Sequence, residues 1–261
     1  MEADVVRDAM PDYLAQLEAA GAKANTLLSY ERDLKKFCTY LETAGEGMSA
    51  APEAYRQWLE ARGYASASVA RNLAAMKGFL VYLEQEKGLM TGEITLIPPR
   101  IIPVEVPPLS MEEVVRLLMQ PDADTVLGLR DKAMLELMYA TGIRVGLLLK
   151  LKVSDINLRS GYLKRLERGR HRIIPIRPRA RDAVAAYIEI GRPQLTGEAR
   201  EIGEDILFLN SSGCPMSRQG FWKILKRYAS QAGIRPEVTP QMLAASFAVH
   251  IRQPEEEQPR N

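Results

Sequence analysis

Between Arg159 and Arg181 nine basic side chains (Arg159, Lys164, Arg165, Arg168, Arg170, Arg172, Arg177, Arg179 and Arg181) stand against one acid, Glu167. That is a local charge of +8 inside a chain whose net charge is +2. Guanidinium and ammonium groups at this density form either a solvated face or a surface that binds phosphates. A second stretch, "VTPQMLAASFAVHIRQPEEEQPRN", raises the opposite question. Its first half reads as a capped helix with Thr239 as N-cap, Pro240 in the first helical position, and Met242, Leu243, Phe247 and Ile251 on an apolar face. Pro254 stops that helix, and the polar, acidic end after it reads as disordered. The helix carries Gln241, Ala244 and Ala245 elsewhere, side chains that neither hold charge nor move a proton. Cys38 and Cys214 lie far apart in unrelated patterns, so neither a disulfide framework nor a metal site is expected.

At 261 residues the chain is long enough for two modest domains, each with its own core. An apolar fraction of 46% and a charged fraction of 26% are ordinary for a soluble globular protein. No stretch approaches the roughly 20 apolar residues that span a bilayer, and the N-terminus has no apolar run. A cytoplasmic location is expected.

Residues 1–90 read as four helices. Leu27, Tyr30, Leu34, Phe37 and Leu41 share one helix face, as do Val69, Leu73, Met76, Leu80 and Leu83, with Gly88 as a C-terminal stop. Shorter helices are expected at about 4–20 and 51–62. Off the two long apolar stripes stand Thr26, Ser29, Arg32 and Lys35, and then Ser66, Ser68, Arg71, Asn72 and Lys77. These are solvated surface or two polar faces for a nucleic-acid backbone. Residues 91–108 hold five prolines and read as an extended linker. Ser110 and Glu113 then form a capping box, with Leu109 and Val114 as a hydrophobic staple across it. A buried helix ends at Gly142, two strands surround a basic turn near Arg168–Arg170, and helices follow at about 178–191 and 217–232. In the last of these Ser217 is the N-cap, and Phe221, Ile224, Leu225 and Tyr228 face inward.

Four stretches in this order, "ATGIRVGLLLKLKVSDI", "RHRIIPI", "MSRQGFWKILKRYASQAGI" and "VTPQMLAASFAVH", resemble tyrosine recombinases of the phage-integrase family, of the Xer type. The resemblance runs from about residue 10 to 251. It implies a mainly α fold with a small β element: a four-helix core-binding domain at 1–90, the linker at 91–108, an α+β catalytic-type domain at 109–251, and a tail at 252–261. It also implies a C-shaped clamp on duplex DNA and phosphodiester chemistry without a metal or nucleotide cofactor. In the family a tyrosine attacks phosphorus, two arginines hold the non-bridging oxygens, a lysine protonates the leaving oxygen and a histidine manages protons.

Carried over residue by residue, the family's first arginine falls on Arg144. The acid expected three residues later is Leu147 here. The lysine of the strand-pair turn is replaced by Arg168, whose guanidinium holds its proton too firmly to donate it. The last family box, H-x-L-R-H-S-F-A-T-H, reads here Gln241-Met-Leu-Ala244-Ala245-Ser-Phe-Ala-Val-His250. His250 matches a non-catalytic position and reads as structural. The last tyrosine is Tyr228, before the box, so no nucleophile is expected in this chain.

The expected backbone contacts to DNA are Thr26, Arg32, Lys35, Ser68, Arg71 and Lys77 in the first domain. In the second they are Arg144, Arg168, Arg170, Arg172, Ser217, Arg218, Gln219 and Lys223. The favoured reading is a DNA-binding, catalytically degenerate homologue. The alternatives are a recombinase subunit completed in trans by an active partner, and a helical interaction module that no longer binds DNA. No membrane and no small-molecule substrate is expected.

Overall fold

The computed structural model describes residues 2–44, 51–89, 106–167, 170–196, 205–234 and 238–251. The chain divides into two units, Met1–Val104 and Glu105–Asn261. Most of the expected linker, and the tail from 252, lie outside the described residues.

The first unit is helical: α1 (Glu2–Ala19), α2 (Ala24–Ala44), α3 (Ala51–Ala61) and α4 (Ser66–Lys87). Periodicity built its core. Leu34, Phe37 and Leu41 of α2 and all five stripe residues of α4 are buried. Leu27 and Tyr30, in the first turns of α2, are only half-buried. Phe37, Tyr40, Tyr55 and Trp58 form an aromatic layer, with Phe37 and Tyr55 edge to face at 5.1 Å between centroids. Gly88 ends α4 in the left-handed region, its N–H donating to the Leu83 carbonyl.

The second unit opens on α5 (Met111–Leu118). Ser110 Oγ accepts from the Glu113 N–H at 3.1 Å, while Glu113 Oε2 accepts from the Ser110 N–H at 2.8 Å. Leu109 and Val114 are both buried, as the staple requires. The buried helix α6 (Val126–Thr141) follows, then the single turn α7 (Val145–Leu148). Next come β1 (Ile156–Asn157), β2 (Tyr162–Glu167) and β3 (Arg170–Pro175), an antiparallel sheet in the order β1-β2-β3. The two-residue strand β1 was not foreseen, because so short a segment shows no alternation. Arg168 lies outside the described residues, and β3 already begins at Arg170.

The helix expected at 178–191 is longer and interrupted. α8 (Pro178–Ala186) runs through a π turn, Tyr187–Gly191, into α9 (Arg192–Thr196). In that turn the buried Tyr187 hydroxyl accepts from the Leu209 N–H at 3.2 Å, and its ring stacks on Phe208 at 5.6 Å. These long-range contacts leave no local trace in sequence. α10 (Arg218–Gln231) and α11 (Pro240–His250) complete the unit.

α11 forms as its sequence dictates. Thr239 Oγ1 accepts from the Met242 N–H at 3.2 Å, and Met242 and Leu243 are buried. Ser246, fully buried, donates to the Met242 carbonyl at 2.8 Å and accepts from the Leu109 N–H at 2.8 Å, joining the helix to the start of α5. Ile251 departs from expectation: it sits past the helix end and is 52% exposed. Met111 and Val115 on α5 and Met119 at its C-cap, spaced by four, are also exposed apolar side chains. Among the described residues no helix is long and apolar enough to cross a membrane, and no group of His, Cys, Asp or Glu could hold a metal ion.

Removing the Ser246 hydroxyl strands the buried Leu109 N–H. Ser246→Ala is therefore expected to destabilise this unit by about 1–3 kcal/mol, read as a fall of several degrees in the melting transition. An unchanged transition would contradict the role given to that bond.

Candidate nucleic-acid interface

The site is organised by the end of α6. Gly142 takes a left-handed conformation (φ 61°) that reverses the chain. A Cβ at that position would lie 2.7 Å from Cδ1 of Phe247, so the glycine also admits the ring from α11. Ile143 plugs into the core, and Arg144 then occupies the N-cap position of α7 in extended conformation, exposed and with no side-chain capping bond. Two residues on, a Cβ at Gly146 would collide with the Arg218 guanidinium, so the first residue of α10 lies against this turn. Three elements therefore converge: the Arg144 turn, the start of α10, and α11.

The family positions around that convergence are apolar or neutral. Leu147 is half-buried against the core. Ala244 also packs against it, one helical turn before Phe247. Ala245 is half-buried and Gln241 exposed. His250 is held by Tyr139, whose hydroxyl lies 3.0 Å from Nδ1 with the rings edge to face. Tyr228 is buried and donates its hydroxyl to Asp131 at 3.0 Å. Burial and that neighbouring carboxylate push the phenol above its ordinary pKa.

Asp131 is a feature the sequence reading missed. Its buried carboxylate accepts from Arg130 Nε and Nη2 at 2.9 and 2.7 Å, from Arg227 Nη2 at 3.0 Å, and from Tyr228. Arg130, also buried, passes the link to the Leu209 carbonyl at 3.1 Å. Burial raises the carboxyl above its ordinary range while the arginines pull it back. The available signal was an adjacent Arg-Asp pair inside a largely apolar, buried helix.

The basic run is not one patch. Arg179 pairs with buried Glu136 at 2.8 Å, and Arg181 lies 3.5 Å from Asp182. Arg172 is exposed on β3 and stands opposite Arg165 in the register, and Arg170 stands opposite Glu167. Ser217 spends its hydroxyl on the Gly220 N–H at 3.0 Å, a capping role, leaving Arg218, Gln219 and Lys223 exposed on α10.

In the first unit the expected polar faces do not each lie in one plane. Thr26 and Arg32 are exposed, but Lys35 pairs with Glu31 at 2.6 Å and lines a groove against α1. On α4 Lys77 is exposed, Ser68 is half-buried, Asn72 is buried and Arg71 is bound to Asp33.

A helical unit followed by an α+β unit with a convergent arginine turn and a basic hairpin is an integrase-type architecture. The chain belongs to the phage integrase family: the model of that family matches residues 108–255, and that of the phage integrase N-terminal SAM-like domain matches 11–87. Tyrosine recombinase XerD of Listeria innocua is 36% identical, covering 94% of this chain and 85% of the relative. XerD of Halalkalibacterium halodurans is 39% identical over 88% of this chain and 79% of its own length. Among solved structures, the fold is shared with XerH site-specific recombinase bound to a palindromic difH substrate (TM-score 0.67, 20% identity, 91% of this chain and 73% of that one). It is shared also with a lambda integrase tetramer bound to a Holliday junction (TM-score 0.64, 20% identity, 93% and 68%).

Asp131→Asn removes the charge that compensates buried Arg130. It is expected to cost about 3–5 kcal/mol in chemical denaturation of the whole chain. A loss under about 1 kcal/mol would show that the network is incidental.

Proposed function

We propose that this chain binds duplex DNA as a member of the tyrosine recombinase family but does not itself cleave or rejoin strands. The observation that carries this reading is α11. Its cap, buried face and tie to α5 are kept, while Gln241, Ala244 and Ala245 occupy the positions where the family box has His, Arg and His. Phosphoryl transfer needs two guanidiniums on the non-bridging oxygens as charge develops. Arg144 supplies one, and Ala244 supplies none. Leu147 cannot order the site as an acid would, and Arg168 does not release a proton at neutral pH. Losing single members of such a set commonly costs orders of magnitude in rate.

The organisation supporting DNA binding is a core-binding domain at 1–90, the proline-rich linker at 91–108 and the catalytic-type domain at 109–251, acting on DNA in the cytoplasm. Exposed Arg32 and Lys77 in the first domain, and exposed Arg144, Arg172, Arg218, Gln219 and Lys223 in the second, meet the phosphate backbone together with Arg170. Retention of an exposed Arg144 favours one second reading, a subunit completed in trans by an active recombinase.

On random duplex DNA, affinity is expected in the micromolar range. Log K should fall against log salt with a slope of about −5 to −7 if roughly five to eight phosphates are neutralised. Replacing Arg168 and Arg170 with alanine should flatten that slope by about one to two, weakening all sequences alike. Binding that is absent at low salt, or indifferent to the pair, would leave the interaction-module reading.

A nicked duplex that traps covalent intermediates is expected to yield no protein–DNA adduct with this chain alone. An adduct would refute inactivity. Cleavage by an active Xer-type relative that rises on adding this chain would support the trans reading instead.

A further inference from the structure

In the first unit two cations converge on one buried carboxylate. Asp33, with no exposed side-chain surface, accepts from Arg71 Nε at 2.6 Å and Nη2 at 3.1 Å, and from Lys36 Nζ at 3.1 Å. Its surroundings are fixed from three elements. The Tyr55 hydroxyl of α3 lies 3.4 Å from the Asp33 carbonyl and 3.3 Å from Asn72 Oδ1, and Asn72 Nδ2 donates to the Ser68 carbonyl at 2.8 Å. Lys36 Nζ also lies 5.1 Å from the centre of the Tyr64 ring, just ahead of α4. Yet the cations are not buried with their partner: the Arg71 side chain is 46% exposed and that of Lys36 28%. With Nε and Nη2 turned to Asp33, Arg71 keeps Nη1 for an outside acceptor, and the trio carries a net charge of +1. Lys35, the next residue along, takes the other side of α2.

We propose that Asp33 is a positioning residue that holds Arg71 and Lys36 side by side as a two-cation seat for one backbone phosphate of duplex DNA. This rests on the DNA-binding reading above. Free arginine and lysine side chains lose rotamer freedom when they bind, whereas a pair already anchored loses less. A planar guanidinium with two edges serves both contacts at once, one edge to the carboxylate and the other to phosphate.

Charge alone and positioning predict opposite signs for Asp33→Asn, which makes the test decisive. Removing an acid from a DNA-binding surface should tighten binding if only net charge matters. Positioning instead predicts about 3- to 10-fold weaker binding of random duplex DNA by the full chain. Arg71→Gln and Lys36→Gln should each flatten the salt slope by about one, and Lys35→Gln should leave it nearly unchanged. Melting curves accompany each variant. If Asp33→Asn does not fold, Arg71→Lys decides, since it keeps the charge but loses the two-edged geometry and should still bind less tightly. Binding as tight as, or tighter than, that of the unaltered chain in Asp33→Asn, or unchanged binding in Arg71→Lys, overturns the seat while leaving DNA binding intact. No binding by the unaltered chain overturns both.

Discussion

Each unit is built around an aspartate that cannot reach water. Asp131 gathers Arg130, Arg227 and the Tyr228 hydroxyl, and through Arg130 the backbone at Leu209. An isolated carboxylate at such depth would be strongly disfavoured, so its partners have to be in place for the unit to fold. That requirement sets α10 against α6. It thereby puts Arg218 beside Gly146 and fixes the turn that displays Arg144. Asp33 does the same between α2 and α4 with Arg71 and Lys36. In both units the buried acid determines which cations face outward and which are spent on the fold.

The same separation explains α11. Met242, Leu243, Ser246 and Phe247 answer to packing: two are buried apolar side chains, one ties the helix to Leu109, and one fills the space left by Gly142. Gln241 is exposed, and Ala244 and Ala245 are half-buried with no polar group to offer, Ala244 against the edge of the core. The residues that hold α11 in the core are therefore different from those at which the proposed function places the loss of chemistry.

What could be read from sequence was local. The stripe of α4, the Ser110–Glu113 box, the Thr239 cap and the glycine stops depend on neighbours within a few residues, and all formed. The partners of charged side chains were not legible. Arg71 meets an acid 38 positions away, and Arg227 one 96 positions away. Counting charge along the chain treats both as solvated. The polar face assigned to α2 drifted for a simpler reason: steps of three residues rotate about 60° each around a helix, so Thr26 and Lys35 end on opposite sides. β1 and the π turn at Tyr187 needed tertiary contacts, which no window of sequence contains.

The central claim is that the phosphoryl-transfer site is lost, beyond the proton donor alone. A duplex with sulfur in place of the bridging 5′ oxygen tests it most directly. A thiolate leaves without being protonated, so a chain lacking only the lysine role of the hairpin turn would still cleave such a substrate. On the proposed reading, in which Ala244 stands where the family has its second arginine, no covalent adduct should accumulate even when the chain is saturated with this DNA. Adduct formation on the sulfur substrate would contradict that claim.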